Sequence, residues 1–418
     1  MVCKQKQLSN LKSIRLFKIL QFFPFNLQST RLIIPQIFLI GLSFSILTSG
    51  AYAYGSLIYA GFSFVGNYSE NQERYPYAAE LATQTANNGM SILDHALREV
   101  VKSHYQRKET LIYSQRDIGT GTNLALAFGL SQESVEKVGW KDKNLYIYRV
   151  LSQVMIFDFS KKILLANFPA MIQYQEIDEN IRDVEAHRIV FRHIYLDSND
   201  TQKSIFCEWV MRLNSVAIKE SYPFYLKVGS LDLDSELIEQ LPNGTTSKAY
   251  SSEVVQLFES IFSKEQKVSM VPFTKGQAIG GKMPMRFSDA TVLQLKLPEA
   301  DYVIDIDLHG FKHLLKKSGQ CHKHAFGAFA TFNLSLPVSN KQYFNQRFKK
   351  VNFAVFSAAD KVAVDVWHGQ QTTLRSLFVC FSQQISKRDI KVLSQMVKEP
   401  KKIAKQLVNV EGVLSKCR

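Results

Sequence analysis

Acidic residues are missing from one end of this 418-residue sequence and are few at the other. Residues 1–31 contain six lysines and arginines and no acid, which gives +6, and residues 386–418 carry nine bases against three acids, again +6. Since the formal net charge is +14, the rest of the chain carries only +2. A nucleic-acid-binding domain usually carries a basic stripe through its folded part. We therefore expect no nucleic-acid partner.

The sequence also lacks the short motifs that mark common active sites. It has no Gly-x-Ser-x-Gly motif, so the usual nucleophile turn of an α/β-hydrolase is missing. None of the five cysteines forms a Cys-x-x-Cys pair, and none lies near the end of an apolar run, where lipidation would require it. The four cysteines beyond residue 200 either pair in an oxidising compartment or remain free or buried thiols. We predict no catalytic residues and no cofactor.

Charge is absent from a long stretch near the N-terminus, residues 32–69. Its first part, LIIPQIFLIGLSFSILTSG, is 19 residues long, which is enough to span a bilayer as a helix. The basic residues 1–31 in front of it favour a cytoplasmic N-terminus. We predict a single-pass inner-membrane protein in which residues 32–66 form the signal-anchor and the C-terminal bulk lies in the periplasm.

A cleaved signal peptide is the alternative to this anchor. The pattern Ala51-Tyr52-Ala53 after the apolar run resembles a signal-peptidase site, and cleavage after Ala53 would release a secreted protein. The basic segment is long for a cleaved signal, and the apolar character continues through YGSLIYAGFSFVG. Both observations favour a retained transmembrane helix.

Beyond residue 66 the patterns predict an α+β fold of one or two α/β units, in which helices cover mostly antiparallel sheets. Within residues 67–245, apolar spacing predicts a helix over residues 77–105 that breaks at Gly89. A β-hairpin is predicted around the turn at residues 160–162. Other predictions in this domain are a short helix starting near Ser131 and Glu133 and a weaker strand pair at residues 189–196 and 205–213.

A second α/β domain is predicted over residues 246–385, after a boundary rich in Ser, Thr and a Pro-Asn-Gly turn. An amphipathic helix opens it near Ser252, and another closes it over residues 364–385. Strands are predicted between these helices at residues 268–273, 291–297, 302–308, 328–336 and 342–350. Residues 386–418 are predicted to be a basic, partly amphipathic tail that is loosely attached, or that lies on a membrane or a partner.

Three features of this second domain carry a resemblance to a known family. They are the strand VSMVPF at residues 268–273, the sequence PEADYVI at residues 298–304, and the hairpin at residues 331–348. In these features residues 250–385 resemble the α/β domain of bacterial envelope proteins related to the curli-secretion lipoprotein, the lipoprotein activators of penicillin-binding proteins and the N-terminal domain of the Tol translocation protein. The resemblance implies an extracytoplasmic binding or assembly module without catalysis.

A glycine-rich segment, GQAIGGK at residues 276–282, matches the spacing of a phosphate-binding loop. Such a loop needs Ser or Thr after the lysine to hold Mg²⁺, and a helix that starts there. This chain has Met283 at that position, and the residues that follow show no helical periodicity. We interpret the segment as a flexible turn between strands.

Histidines and carboxylates gather between residues 305 and 324. Alternation along the predicted strand places Asp305, Asp307 and His309 on one face, where they could begin a metal site. His322 and His324 in the following loop could supply further ligands. The spacing matches no established zinc pattern, and the lysines in between would repel a cation.

Two functions of different classes follow from these observations. The first is a non-enzymatic, membrane-anchored protein that binds or assembles partners in the bacterial cell envelope, the partner being another envelope protein or a second copy of the chain. The second is a metal-dependent hydrolase or metal-binding protein built on Asp305, Asp307, His309, His322 and His324. The resemblance favours the first.

Overall fold

The computed structural model of the chain describes residues 55–66, 68, 72–114, 123–140, 143–197, 204–273, 281–357 and 364–418. Residues 32–54 of the predicted membrane segment lie outside these ranges. Within them, no helix combines the length and the apolar character that crossing a bilayer requires.

Strands and helices make up most of the described chain. Strands β1 to β11 span Ser56–Val65, Thr110–Ile112, Leu124–Trp140, Lys143–Asp158, Ile163–Asp178, Leu226–Leu233, Lys282–Phe287, Val292–Lys296, Tyr302–Ser318, Cys321–Leu336 and Lys341–Ser357. Helices α1 to α9 span Pro76–Ala82, Ile92–His104, Val184–Leu196, Ile205–Ser215, Ser235–Ile238, Ser247–Gln266, Val366–Lys387, Ile390–Met396 and Pro400–Cys417. The predicted α+β class is confirmed.

The first sheet has the order β2-β1-β3-β4-β5-β8-β7, and β7 also pairs with β1, so the sheet closes on itself. Ile58, Met155 and Met283 belong to the core inside it. Helices α1 to α4 pack on its other face and bury a larger, aromatic-rich core that includes Phe128 and Trp209. The predicted hairpin around residues 160–162 is confirmed as β4 and β5.

The second sheet has the order β11-β10-β9-β6, with β6 parallel to β9 and the other pairs antiparallel. Ile304, Ile306 and Leu308 of β9 are buried in the core beneath helices α6, α7 and α9. Gly310 adopts φ +107° at a register shift between β9 and β10, a backbone angle that glycine reaches without steric cost. The opposite face of this sheet, which carries Asp305 and Asp307, is partly exposed to solvent.

Part of the predicted membrane segment is a strand of the folded body. Residues 56–65 form β1, whose side chains enter both cores that flank the first sheet, Phe62 and Phe64 in one and Ile58 and Val65 in the other. A strand buried on both faces needs a continuous apolar run, which is why its sequence reads like part of a span. The prediction that the membrane segment extends to residue 66 is therefore wrong.

Two secondary-structure predictions in the first half are also wrong. Residues 189–196 and 205–213 belong to helices α3 and α4, although their β-branched and aromatic residues favour strands. Both helices begin at a capping side chain, Asp183 and Ser204. Ser131 and Glu133 lie in β3 instead of starting a helix.

The C-terminal segment is helical, and the prediction that it is loosely attached is wrong. Helix α9 places Ile403, Leu407 and Leu414 in the second core, and the Arg418 guanidinium donates to the Gln266 carbonyl oxygen over 2.9 Å. The lysines of α9 are exposed on its outer face, while its apolar side chains form a buried stripe on the other. The many lysines therefore do not prevent the helix from packing on the second core.

A buried polar seam joins the first sheet to α6 and the segment after it. Asn167 of β5, only 1% exposed, donates from Nδ2 to the Met270 carbonyl oxygen over 3.0 Å. Arg212 of α4, 4% exposed, donates from Nη2 to the carbonyl oxygens of Pro169 and Ser260, each over 3.0 Å. We call these five residues the seam; it satisfies buried backbone acceptors on both sides.

Candidate functional site

A cleft of about 970 Å³ lies between the first sheet and the helices of the second core, at the other end of β5 from the seam. Strands β3, β4 and β5 line one wall, and α6, α7 and β11 line the other. Its size falls within the range of small-molecule and peptide sites, which often lie where two cores meet. We call it the inter-sheet cleft.

Four ionisable side chains in the cleft, from both of its walls, form one network. Glu136 of β3 accepts from Arg149 Nη2 over 2.5 Å, and its other oxygen lies 3.4 Å from His368 Nδ1 of α7. Arg149 Nη1 is also 4.0 Å from Glu253 of α6. Because β3, β4, α6 and α7 are distant in sequence, this network exists only in the folded chain.

The two carboxylates of this network differ in their pKa. Burial disfavours the charge of Glu136, but His368 and Arg149 outweigh it and lower the pKa of Glu136 to about 2. Burial raises the pKa of Glu253, and the nearby Glu136 charge adds to this while Arg149 opposes it. The ion pair of Arg149 with Glu136 is therefore stronger than its ion pair with Glu253.

Two arginines converge on one neutral acceptor in the same cleft. Gln173 Oε1 of β5 accepts from Arg149 Nε over 3.4 Å and from Arg375 Nη1 of α7. Burial, with the positive charge of Arg149, lowers the pKa of Arg375. The site therefore holds two cations against one amide oxygen, a position that suits an acceptor group of a ligand.

His368 also links the network to a hydroxyl. Its Nε2 lies 3.4 Å from Thr372 Oγ1, so Glu136, His368 and Thr372 follow the order carboxylate, imidazole, hydroxyl. That order is used by nucleophilic hydrolases, in which the two hydrogen bonds are about 2.6–3.2 Å long. Both contacts here are 3.4 Å, which is longer than that range.

Uncharged polar side chains and two aromatic rings complete the lining. Amide groups both donate and accept hydrogen bonds, which is what the backbone of an extended peptide requires. Trp367 and Tyr250 lie together at one side, with ring centroids 5.5 Å apart. The amide residues of the lining are Gln173, Gln175, Asn352, Gln371 and Gln383.

The candidate metal residues of β9 do come together, with two further carboxylates from β6 and the following residue. Asp307 lies opposite Asp232, and His309 Nδ1 is 3.3 Å from Asp234 Oδ2. The second ring nitrogen of His309, Nε2, lies 2.7 Å from Thr331 Oγ1. Burial, offset by His309, raises the pKa of Asp307.

The other candidate ligands lie elsewhere on the second sheet. His324 pairs with Leu315 and Asp307 with Thr331, so seven residues of β10, roughly 23 Å, separate the two groups. His324 Nδ1 lies 2.9 Å from His313 Nε2 instead, and its pKa is lowered by burial and by the other two histidines, His313 and His322. Within the described ranges, no three His, Cys, Asp or Glu side chains are placed to hold one metal ion.

Sequence reasoning missed the residues of the inter-sheet cleft. Glu136, Arg149, Arg375 and His368 carry no local motif, and the contact between Glu136 and His368 joins positions 232 residues apart. At the end of the glycine-rich segment, Lys282 opens strand β7, where a phosphate loop would have a helix. Residues 276–280 of that segment lie outside the described ranges.

Comparisons with known proteins leave the family open. No protein-family model matches the chain, and no curated protein is significantly similar to it. Similar solved structures include a DUF330 protein of Xanthomonas campestris (8% identity, TM-score 0.21), a Helicobacter pylori protein described as a neuraminyllactose-binding hemagglutinin homologue (12%, 0.25) and a minor lipoprotein of Acinetobacter baumannii (9%, 0.20). They cover 42–43% of this chain and 93–98% of their own.

These three neighbours are bacterial proteins, and one is described as a lipoprotein. Their descriptions do not name the families that residues 250–385 resemble. TM-scores of 0.20–0.25 are too low to carry an argument about the fold or the activity of this chain.

Proposed function

We propose that this chain is a non-enzymatic binding and assembly protein of the bacterial cell envelope, held at the inner membrane by residues 32–54, with its folded body in the periplasm. The inter-sheet cleft is its binding site, and an extended segment of a partner envelope protein is its ligand. The observation that carries the proposal is the cleft itself, where Glu136, Arg149 and Arg375 face a lining rich in amides.

The chemistry of the lining supports a peptide ligand over a small charged substrate. Arg149 and Arg375 offer donors for a backbone carbonyl or a carboxylate, and the amides of Gln173 and Gln371 can match backbone donors and acceptors alternately. Trp367 and Tyr250 supply an apolar wall for a side chain. The charge-free run and its basic flank support the membrane location.

Site-directed photocrosslinking in cells tests the proposed site. A photoreactive amino acid replaces Gln175 or Gln371, which line the cleft, or Glu220, an exposed control outside it. We expect a covalent adduct of one defined size from the two cleft positions, reduced when Arg149 and Arg375 are changed to alanine. Equal adducts from Glu220, or no adduct from either cleft position, would contradict a binding cleft.

Protease access tests the proposed location independently. In cells whose outer membrane has been opened, we expect the folded body to be cut while the inner membrane is still intact. A body that is cut only after the inner membrane is broken would place it in the cytoplasm and overturn the topology.

A further inference from the structure

The second sheet narrows to three strands at one end. Strand β6 pairs with β9 only as far as Leu308, so beyond this point the sheet consists of β9, β10 and β11 alone. Five large apolar side chains there are exposed to solvent: Leu314 (70%), Leu315 (47%), Val351 (41%), Phe353 (76%) and Val355 (60%). Exposed apolar groups gathered in this way mark interaction surfaces more often than scattered ones do.

The strand register places four of these side chains on one face and Leu315, which pairs with His324, on the other. Ala325 of β10 lies opposite both Phe353 of β11 and Leu314 of β9. One step along the same face, Lys323 lies opposite Val355 and Lys316. Since side chains alternate along a strand, these residues all point to the same side of the sheet.

Lysines surround the apolar side chains. Residues 308–357 contain eight lysines and arginines and not one aspartate or glutamate. Exposed Lys312, Lys316, Lys323 and Lys349 share the face with the apolar residues. We call this surface, formed by Lys312, Leu314, Lys316, Lys323, Lys349, Val351, Phe353 and Val355, the basic-apolar face.

The same side of the sheet carries the opposite charge at its other end, where Asp232, Asp305 and Asp307 lie. A second copy that brought this acidic end against the basic-apolar face would set Phe353 and Val355 against carboxylates, which would cost desolvation without apolar contact. A surface with fixed negative charge above an apolar layer satisfies both the lysines and the apolar side chains. An anionic membrane has this structure.

We propose that the basic-apolar face docks on an anionic lipid surface, with the lysines at the phosphate level and Phe353, Val355, Val351 and Leu314 in the boundary between headgroups and acyl chains. Each lysine near such a surface changes the docking equilibrium by about fivefold. The acidic end of the sheet is repelled, so the sheet docks by one end. The docking needs neither the inter-sheet cleft nor a ligand in it.

Fluorescence of a single added tryptophan tests the docking on the full chain reconstituted in vesicles. Phe353→Trp reports on the face, and Val338→Trp is the control, because Val338 is 95% exposed at the turn on the other end of the same hairpin. Emission of the three native tryptophans is subtracted with the unsubstituted chain. The vesicles contain brominated phosphatidylcholine with or without phosphatidylglycerol, and the N-terminal segment tethers both variants alike.

We expect strong bromine quenching and a blue shift for Phe353→Trp in anionic vesicles, and little for Val338→Trp. Quenching should fall in vesicles without phosphatidylglycerol and in about 0.5 M salt, where charges are screened within about 4 Å. Lys316→Gln with Lys323→Gln should weaken docking by roughly twenty-five-fold, whereas Lys401→Gln with Lys405→Gln on exposed positions of α9 should not.

Three results would overturn the proposal. The first is equal quenching of the two tryptophans in anionic vesicles, and the second is quenching of Phe353→Trp that ignores the lipid charge. The third is a Phe353→Trp signal that changes only with protein concentration, which would assign the face to a second copy. Circular dichroism of each variant, matched to the unsubstituted chain, excludes loss of fold as the cause.

Discussion

Strand β5 passes through two polar regions that differ in their access to solvent. At the seam, Asn167 is 1% exposed; its Nδ2 donates to the Met270 carbonyl oxygen, and its backbone N–H donates to Ser269 Oγ. Six residues later, Gln173 lies in the inter-sheet cleft and accepts from two arginines. The two amides have the same chemistry, occupy the same strand and face the same side of it.

The difference between them separates structural polar groups from functional ones. Seam donors are directed at main-chain carbonyl oxygens, which every folded chain must satisfy, so the seam joins the two halves of the chain. Cleft donors are directed at other side chains, and those can exchange one partner for another when a ligand arrives. We therefore expect changes in the seam to cost stability, and changes in the cleft to cost little stability while they alter binding.

Asn167→Asp should have the largest effect on stability. A carboxylate at this buried position would face the Met270 carbonyl oxygen and lose the donor of Nδ2. We expect the free energy of unfolding to fall by about 3 kcal/mol or more at neutral pH, and by less in acid, where the new carboxyl group is protonated. Urea unfolding of the full chain in mild detergent measures this change. A loss below about 1 kcal/mol would contradict the claim that Asn167 is buried and bonded in the seam.

Arg212→Leu should be the next largest. Leucine keeps most of the packing volume but leaves the carbonyl oxygens of Pro169 and Ser260 without this donor, which should cost about 2 kcal/mol. The control is Arg192→Leu in helix α3, an exposed arginine that donates to the side chain of Gln84 over 3.1 Å. That variant should change the free energy of unfolding by less than about 0.5 kcal/mol. Similar losses of unfolding free energy from both variants would mean that the seam contributes no more to stability than an exposed arginine does.

The sequence predicted elements better than it predicted contacts between them. The β4–β5 hairpin and the β10–β11 hairpin follow from local alternation and turn residues, and both are confirmed. Helices α3 and α4 were missed because their amphipathic spacing competes with residues that also favour strands. Strand β1 was missed because an apolar run buried on both faces has the composition of a membrane span.

The seam and the cleft could not have been predicted from one sequence. Asn167 meets Met270 across 103 residues, and Arg375 meets Gln173 across 202. Neither pair has a local pattern, because the topology that brings them together is set by the packing of α6 and α7 between the two sheets. What the sequence does show is the acid-free run that contains the basic-apolar face, since a charge imbalance is visible without any contact.

Glu136→Gln tests the cleft through pH. The pKa of Glu136 is lowered to about 2 in the folded chain, so its carboxylate stabilises the fold above its unfolded pKa of about 4.5, and this contribution is lost as the pH falls toward 2. The side chain is 24% exposed, so we expect the variant to lose about 2 kcal/mol of unfolding free energy at pH 7 and almost nothing near pH 2.

The control is Glu179→Gln, at a carboxylate that is 74% exposed beside Lys143, and this variant should be nearly neutral. A loss that does not depend on pH would show that Arg149 and His368 do not hold the Glu136 charge.

Gln173→Glu should have the smallest effect and the opposite sign to Asn167→Asp. A carboxylate at this position would receive both Arg149 and Arg375, and the gain is limited by the nearby Glu136 charge, so we expect about 1 kcal/mol of added stability at pH 7 that disappears in acid. The control is Gln175→Glu, two residues along the same face at an exposed position, which should be nearly neutral. Because Gln173→Glu fills the acceptor position between the arginines, it should also reduce the photocrosslinked adduct from Gln371. If Gln173→Glu instead destabilised the chain as much as Asn167→Asp does, the cleft would be as inaccessible to solvent as the seam. It would then not be a binding site.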